Sequence, residues 1–264
     1  MPSADFSPDR YYRRLPAFLL FAAALIVSGL LSGFSFTDLA HAVSKGVALA
    51  PLFFPPEWSA LPEMLRPAAV TVVMSLVATP MGSLLAVFFG LAGARNIAPA
   101  WLRLPARSLI AIERGIPEVV SALILVSAFG LGPLAGVLGL AIGSIGMLGK
   151  LMADAIEEID QRTLDAVAAV GATRWQVVRH AVLPEVLPSL VSNSIFRFEW
   201  NIRAAMVLGA VGAGGIGYEL QFAISQLEYS RATVAALVSV LLVILSERVS
   251  DRVRSTILNT ARQA

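Results

Sequence analysis

The first two apolar stretches of this chain carry no charged residue. They cover residues 15–36 and 67–94. About 20 apolar residues are enough for a helix to cross a bilayer, and a helix satisfies its own backbone hydrogen bonds there. Only 14% of the residues are charged, against about 25% in ordinary domains. The sequence therefore predicts an all-α integral membrane protein built as one domain.

Breaks in the apolar pattern divide the chain into about six membrane helices. Pro80 interrupts the second uncharged run, and the glycines and proline of residues 130–133 separate the third helix from the fourth. The predicted segments are an N-terminal arm at 1–14, helices at 15–36, 67–94, 108–129, 133–152, 185–209 and 231–250, an external segment at 37–66, a polar segment at 160–184, a glycine-rich bend and external segment at 210–230, and a tail at 251–264.

The first apolar run has a competing interpretation as a cleaved signal peptide. Arg13 and Arg14 precede it, and Ala40-His41-Ala42 has the form of a cleavage site. A signal core has about 7–15 apolar residues. The run at 15–36 is longer, which favours an uncleaved helix.

The basic residues predict the orientation. They are concentrated before residue 15, at 95–107, at 150–180 and in the tail, whereas the opposite side holds only Lys45, Arg66 and Arg231. Cytoplasmic loops carry the excess of Lys and Arg. We therefore expect a multi-pass protein of the bacterial inner membrane with both termini and residues 160–184 in the cytoplasm.

The polar segment at 160–184 reads as a helix, a turn and a second helix. Gly171 tolerates positive φ, which ends the first helix. Thr173 and Gln176 have the spacing of a capping box, which starts the second. Pro184 disfavours helical geometry before it, so the second helix is expected to stop there. The apolar positions of this segment are Leu164, Val167, Val170, Trp175 and Val178.

The predicted fifth helix carries charges where a bilayer disfavours them. Its polar residues are Arg197, Glu199, Asn201 and Arg203. A charge at the bilayer centre costs about 3 kcal/mol, so these side chains should face the bundle interior. Glu199 and Arg203 have the favourable order for a helical ion pair. Arg197 would then pair with Glu113, with Glu118 or with an anion. Two interpretations of these residues remain: a buried structural network between helices, or a path for an anion.

The segment at 160–184 resembles the EAA loop of membrane subunits of binding-protein-dependent ABC importers. The resemblance lies in Asp165-Ala166-Val167, in Gly171 and in Ala181-Val182-Leu183-Pro184. The departures are Asp for Glu, Val for the second Ala, and Ala for Ile before Leu-Pro. The resemblance implies a coupling segment that docks on an ATP-hydrolysing subunit. The coupling residues that it implies are Asp165, Ala166, Gly171, Ala172, Thr173, Arg174, Leu183 and Pro184.

A second resemblance covers roughly the last two-thirds of the chain. The runs at 197–205 and 207–217, with Lys150 and its neighbours, are similar to membrane subunits of phosphonate and phosphite importers. This implies a type I importer fold with an ABC transmembrane domain at about 67–250. The implied partners are two ATP-binding subunits, a second membrane subunit (identical or a close paralogue) and a periplasmic binding protein. The implied cargo is a small phosphorus oxyanion.

Two groups of residues are then expected to serve the passage of an anion. Arginine matches the oxygens of a phosphoryl group, which makes the polar residues of the fifth helix a candidate pathway. That group is Arg203, Asn201, Glu199 and Arg197. The glycine cluster is expected to form a bend near the outer gate. Its members are Gly209, Gly212, Gly214, Gly215 and Gly217.

Other apparent motifs carry no chemistry. The glycines at 212–217 fit G-x-G-x-x-G, yet they follow a membrane helix instead of the strand that a nucleotide site needs. Residues 144–151 lack the first Gly and final Ser or Thr of a phosphate-binding loop. There is no cysteine, and His41 and His180 are not spaced as a metal pair. We therefore expect a non-catalytic subunit without a metal, a nucleic-acid partner or a cofactor of its own, and ATP and Mg²⁺ on a partner.

Two alternative functions remain at this point. In the first, the chain is the permease of an ABC importer for another small solute. In the second, it is a self-sufficient secondary anion transporter. The second alternative gives residues 160–184 no role.

Overall fold

The computed structural model describes residues 8–33 and 35–261, and every regular element in those ranges is helical. The predicted arm at 1–14 and tail at 251–264 therefore lie partly outside the described residues. The chain divides into two compact units, Met1–Leu52 and Phe53–Ala264.

The first unit contains helices α1 (Pro8–Leu31) and α2 (Phe36–Leu49). The Ser35 hydroxyl caps α2 by accepting a hydrogen bond from the Thr37 N–H at 3.2 Å. Helix α2 occupies the first part of the predicted external segment at 37–66.

The second unit holds the bundle. Its helices are α3 (Leu61–Gly93), α4 (Ala100–Gly115), α5 (Glu118–Phe129), α6 (Pro133–Glu157), α7 (Gln161–Ala169), α8 (Arg174–Val177), α9 (Leu183–Leu208), α10 (Ile216–Ser225) and α11 (Tyr229–Ala261). Two π-helical stretches, Val178–Val182 and Gly209–Ala213, flank α9.

Three helices of the described residues are long and apolar enough to cross a membrane. They cover Trp58–Gly93, Pro133–Glu157 and Tyr229–Thr256. A fourth crossing results if Arg174–Ala213 and Ile216–Ser225, which meet at a bend of 52°, form one broken span. Shorter apolar helices cover Leu15–Leu31 and Glu118–Phe129. This pattern fits the all-α membrane fold that the sequence predicts.

Helices α3 and α6 form the most extensive contact of the bundle. The contact is close because α3 and α6 bring small residues together: a Cβ atom at Gly82 would lie 2.8 Å from the Ala141 carbonyl oxygen. One buried cluster around Met74 and Leu140 joins these helices to α9 at Leu208. The core thus holds α9 against the two central helices.

The predicted single helix at 108–129 is wrong. The chain breaks at Ile116, which is extended with φ −94° and ψ 122°, and Pro117 precedes the first residue of α5. Proline disfavours helical geometry in the residue before it. The result is two shorter helices, α4 and α5, instead of one span.

The predicted helix end before Pro184 is also wrong, although α9, Leu183–Leu208, nearly matches the predicted fifth helix at 185–209. The helix runs on from Arg174 to Leu208, because Val178–Val182 widens into a π-helical turn. The Leu183 N–H donates to the Val178 carbonyl, five residues back. Such a wider turn lets the helix continue although Pro184 has no N–H to donate.

Gly82→Ala is expected to destabilise the bundle. The added Cβ would meet the Ala141 carbonyl at 2.8 Å and overlap the Ser144 side chain, and overpacking costs about 1–3 kcal/mol. Gly115→Ala is the matched control, because a Cβ there has nothing within 4 Å. Thermal unfolding in detergent should show a lower Tm for Gly82→Ala alone. Equal Tm values would mean that the α3–α6 contact is not this tight.

Candidate functional site

The first part of the site is a projection that we call the knob, residues 161–182. Asp160 caps α7, since its carboxylate accepts from the Arg162 N–H at 2.9 Å. Gly171 has φ +84° in the turn after α7. The Thr173 hydroxyl accepts from the Gln176 N–H and the Gln176 side chain accepts from the Thr173 N–H, which completes the capping box that the sequence predicts.

One face of the knob is anchored to the bundle. Leu164 and Val178 are buried, and Leu164 joins the cluster formed by Met152, Ile156 and Val182. Burial of each such aliphatic side chain contributes about 1.5–3 kcal/mol. The knob is therefore fixed to α6 and to the start of α9.

The opposite face of the knob is exposed and apolar. Val170 is 84% exposed and Trp175 is 65% exposed. The alanines of α7 beside them, Ala166 and Ala169, are exposed as well. The apolar residues of the knob thus divide into an inward set that anchors it and an outward set that is largely exposed.

A polar cleft of about 350 Å³ runs along the side of the knob. Asp165 and Arg174 line it together with Arg95 and Gln161. Asp165 accepts a hydrogen bond from Gln161 Nε2 at 2.9 Å. Two residues of the implied coupling set, Asp165 and Arg174, therefore share one surface.

The remaining residues of that set divide between two places. Ala166, Gly171 and Thr173 are exposed on the knob and Ala172 is half-buried there. Leu183 and Pro184 lie at the start of α9, where Leu183 packs against the buried anchor cluster. These two residues therefore lie just after the knob, and Pro184 is exposed there.

The second part of the site is a polar network inside the bundle, centred on Arg197. The side chain is 3% exposed. Its Nη2 donates to Glu118 Oε1 at 2.7 Å and its Nε donates to Ser144 Oγ at 2.9 Å. Of the partners that the sequence allows, Arg197 thus has Glu118, and its charge is neutralised within the bundle.

Asn201 extends this network to α3. Its Nδ2 donates to Thr79 Oγ1 at 3.0 Å and to Ser144 Oγ at 3.2 Å. Ser144 itself donates to the Leu140 carbonyl at 2.6 Å. The Ser144 hydroxyl therefore uses its one donor and accepts two hydrogen bonds, which is its full capacity.

Glycines of α6 make room for these side chains. A Cβ at Gly143 would lie 2.9 Å from Arg197 Nη2 and 3.1 Å from Glu118 Oε1. A Cβ at Gly146 would overlap the Glu113 carboxylate. The glycine-rich sequence of α6 thus accommodates a polar layer as well as close helix packing.

Arg203 lies outside that network, between two carboxylates. Its Nη2 donates to Glu199 Oε1 at 2.5 Å and also to Glu247 of α11. The Glu199 pair has the i, i+4 spacing that the sequence predicts. The Arg203 side chain is 35% exposed and that of Glu247 is 47% exposed. This cluster holds one guanidinium and two carboxylates, and it is the accessible part of the candidate pathway.

The glycine cluster forms the predicted bend after α9. Gly212 has φ +99° and Gly214 has φ +82°, conformations that favour glycine. A Cβ at Gly209 would lie 2.6 Å from the Gly214 carbonyl oxygen, and one at Gly217 would overlap the Met206 backbone. Gly215, at φ +74°, precedes Ile216, whose N–H donates to Thr71 Oγ1 at 2.9 Å. The bend is therefore locked to α3.

Three residues of the site were not found from the sequence: Thr79, Ser144 and Glu247. Thr79 and Ser144 carry hydroxyl groups in apolar helices, where a single hydroxyl gives no sequence signal. Glu247 did give a signal, because a carboxylate near the end of an apolar helix needs a partner. The sequence offers several arginines, and only the fold identifies Arg203 as that partner.

Comparison with known proteins places these features in context. Residues 78–257 match the family described as binding-protein-dependent transport system inner membrane component. The phosphate-import permease protein PhnE of Mycolicibacterium smegmatis is 42% identical over 81% of this chain, which spans only 40% of that protein. The phosphite transport system permease protein PtxC of Stutzerimonas stutzeri is 36% identical, over 89% of this chain and 86% of that protein. An inward-facing MetNI methionine ABC transporter structure has a TM-score of 0.62 at 26% identity, over 74% of this chain and 95% of that one.

Arg197→Met is expected to destabilise the protein by about 3 kcal/mol or more, because it leaves the Glu118 carboxylate without its buried partner. Arg162→Met is the matched control. It breaks the pair with Asp160, whose side chains are 93% and 61% exposed, and exposed pairs contribute about 0–1 kcal/mol. Thermal or denaturant unfolding in detergent measures both. Combining Arg197→Met with Glu118→Gln should recover part of the loss. Similar stabilities for the two single variants would contradict the network.

Proposed function

We propose a cargo and a coupling route for this chain, which belongs to the family of binding-protein-dependent transport system inner membrane components and is the permease subunit of an ABC importer. The cargo that we infer is a small phosphorus oxyanion such as phosphite, a phosphonate or phosphate. The observation that supports it is 36–42% identity, over most of this chain, to permeases named for phosphate and phosphite.

The subunit would act within a larger assembly. The importer family implies ATPase partners, a substrate-binding protein and a second membrane subunit. We infer two ATP-binding subunits, a second membrane subunit that is identical or a close paralogue, and a periplasmic binding protein. ATP and Mg²⁺ would bind to the ATP-binding subunits, so that this chain itself catalyses nothing.

The protein lies in the inner membrane, as its family does. We infer that both termini and the knob face the cytoplasm, since most Lys and Arg residues lie on that side of the predicted topology. The knob would then meet the ATP-binding subunits.

Coupling would run from the knob into the bundle. Exposed apolar residues beside a polar cleft fit a groove on a partner protein. Trp175 would be the main anchor, since tryptophan dominates many interfaces. The continuous helix from Arg174 to Leu208 would carry a displacement of the knob to Arg197 and Arg203. The bundle would thereby shift between two packed states as the partner binds ATP.

Arg203 is the residue of the pathway that an oxyanion would reach. Its guanidinium is partly exposed, whereas Arg197 and Asn201 are buried and hydrogen-bonded within the protein. An oxyanion would take the place of a carboxylate on the guanidinium fork. Glu199 would hold Arg203 in position, and Glu247 would yield to the cargo.

A secondary transporter would need neither the knob nor ATP. Uptake that persists after ATP depletion and follows an ion gradient would support that alternative. The assembled importer can instead be tested with other small solutes. If it carries one of them and none of the phosphorus oxyanions, the proposed cargo is wrong, while the proposed coupling route is unaffected.

Trp175→Ala is expected to uncouple the importer without unfolding this chain, because the side chain is 65% exposed. Loss of one anchor residue costs about 2 kcal/mol or more of binding. Stimulation of ATP hydrolysis by the loaded binding protein, measured in the assembled complex, should fall roughly tenfold or more, in line with that loss.

Trp58→Ala is the control for that variant, since Trp58 is 59% exposed and lies beside the start of α3, away from the knob. Gly171→Asp should behave as Trp175→Ala does. Full stimulation in both knob variants would refute the docking role.

Arg203→Ala is expected to lower uptake of phosphite, methylphosphonate and phosphate roughly tenfold to a hundredfold, because a charge-assisted hydrogen bond contributes about 1.5–3 kcal/mol. Proteoliposomes with the complete importer provide the measurement. Arg248→Ala, which changes an exposed arginine next to Glu247, is the control. Normal uptake by Arg203→Ala would exclude Arg203 from the pathway.

A further inference from the structure

An apolar groove of about 530 Å³ opens between α3, α9 and α11. It does not contain Arg197, Arg203 or any part of the knob. Its exposed surface is almost entirely apolar, although the hydroxyl residues Thr79, Ser83, Ser194 and Ser250 also line it. The apolar residues that form most of it are Leu76, Pro80, Val191, Ile195, Phe198 and Val253.

One end of the groove has polar groups without partners. Ser250 lines the groove, is 2% exposed, and its buried Oγ has no hydrogen-bond partner within the described chain. One turn further along α11, Arg254 has two buried guanidinium nitrogens, Nε and Nη2, that are likewise without partners. Residues four apart share one face of a helix. A buried donor without an acceptor is costly, so these groups favour an acceptor such as an anion beside this end of the groove.

The position of Arg254 along α11 indicates where that anion lies. Arg231, near the other end of α11, is surrounded by Glu63, Glu219 and Glu228 and marks a polar boundary. Arg254 follows it by 23 residues, or roughly 35 Å of helix. The hydrocarbon core of a bilayer is about 30 Å thick. Arg254 therefore lies at the level of the opposite lipid headgroups, while the groove beside it lies within the acyl chains.

We propose that this groove binds an acidic phospholipid, with one acyl chain along the apolar wall and the headgroup phosphate on the Arg254 guanidinium. The guanidinium fork matches phosphate oxygens. Ser250 Oγ is placed to donate to the same headgroup or to its ester. The site depends only on the membrane setting of α11 and is independent of the cargo.

The net charge of the lipid follows from the surroundings of Arg254. The end of α11 also carries Arg248 and Arg252, with Asp251 the acidic residue among them. Basic clusters at a membrane surface favour anionic over zwitterionic lipids by about 1 kcal/mol per arginine. A zwitterionic lipid would bring an ammonium group into this basic surface. An anionic headgroup such as phosphatidylglycerol is therefore the better ligand.

Native mass spectrometry of the assembled importer tests the proposal. Dioleoyl-phosphatidylglycerol and dioleoyl-phosphatidylcholine are titrated separately into the delipidated complex, and bound lipid is counted. Arg254→Gln should weaken phosphatidylglycerol binding roughly tenfold or more, because it removes charge-assisted hydrogen bonds worth about 1.5–3 kcal/mol. Arg252→Gln, an exposed neighbour, should weaken it by no more than about fivefold, the surface value for one arginine.

A second variant tests the groove itself. Val253→Trp fills the apolar wall and leaves Arg254 in place, so it should also lower phosphatidylglycerol binding while transport of the cargo continues. Size-exclusion chromatography of each variant checks that the complex is intact. Equal binding of the two lipids, or equal losses in Arg254→Gln and Arg252→Gln, would overturn the proposal.

A second copy of the chain could cover the groove instead of lipid. The chain has no cysteine, so Val249→Cys introduces one thiol per copy at the groove wall. A disulfide between two copies at this position would assign the groove to a protein interface and overturn the lipid site. Modification by a lipid-soluble maleimide without any such dimer would support it.

Discussion

The bundle depends on satisfying the buried charge of Arg197 without water. Inside a bilayer an unpaired arginine is costly, and a chain lowers that cost by supplying the counter-ion and acceptors itself. Glu118 provides the counter-ion and Ser144 an acceptor. Because these partners come from α5 and α6, and Asn201 adds Thr79 of α3, the one charge ties four helices together. Gly143 leaves the space in which the pair forms.

The second determinant is the continuity of the helix that carries Arg197. The π-helical turn before Pro184 lets one rod extend from the knob to the polar network. A break at Pro184 would have separated the knob from the polar network, and a flexible loop there would not transmit a displacement of the knob. The outward apolar face, with Trp175 and Val170, is at one end of this rod. The glycine bend that is locked to Thr71 is at the other.

Much of this arrangement could be predicted from local sequence. The capping box at Thr173, the turn at Gly171 and the ion pair between Glu199 and Arg203 each depend on residues within four positions of one another, where chemistry and helix geometry fix the result. The apolar runs likewise predict membrane helices, since the bilayer sets their length.

The failures have physical reasons of two kinds. Pro184 was expected to end a helix, but a π-helical turn before it lets the helix continue. Pro117 was expected to lie within a helix, but the helix breaks there because no such turn precedes it. The contacts of Ser144 and Glu247 depend on helices that are distant in sequence. Hydropathy cannot show which face of a helix meets which neighbour, so such pairs require the fold.

Site-specific photocross-linking at position 175 tests most directly whether the knob is the coupling element. p-Benzoylphenylalanine replaces Trp175 in the complete importer within its native membrane, and the adducts are identified by mass spectrometry. The account predicts a covalent adduct with the ATP-hydrolysing subunit, whose yield changes when ATP binds. Adducts with lipid alone, in a complex that still contains the ATPase, would contradict it.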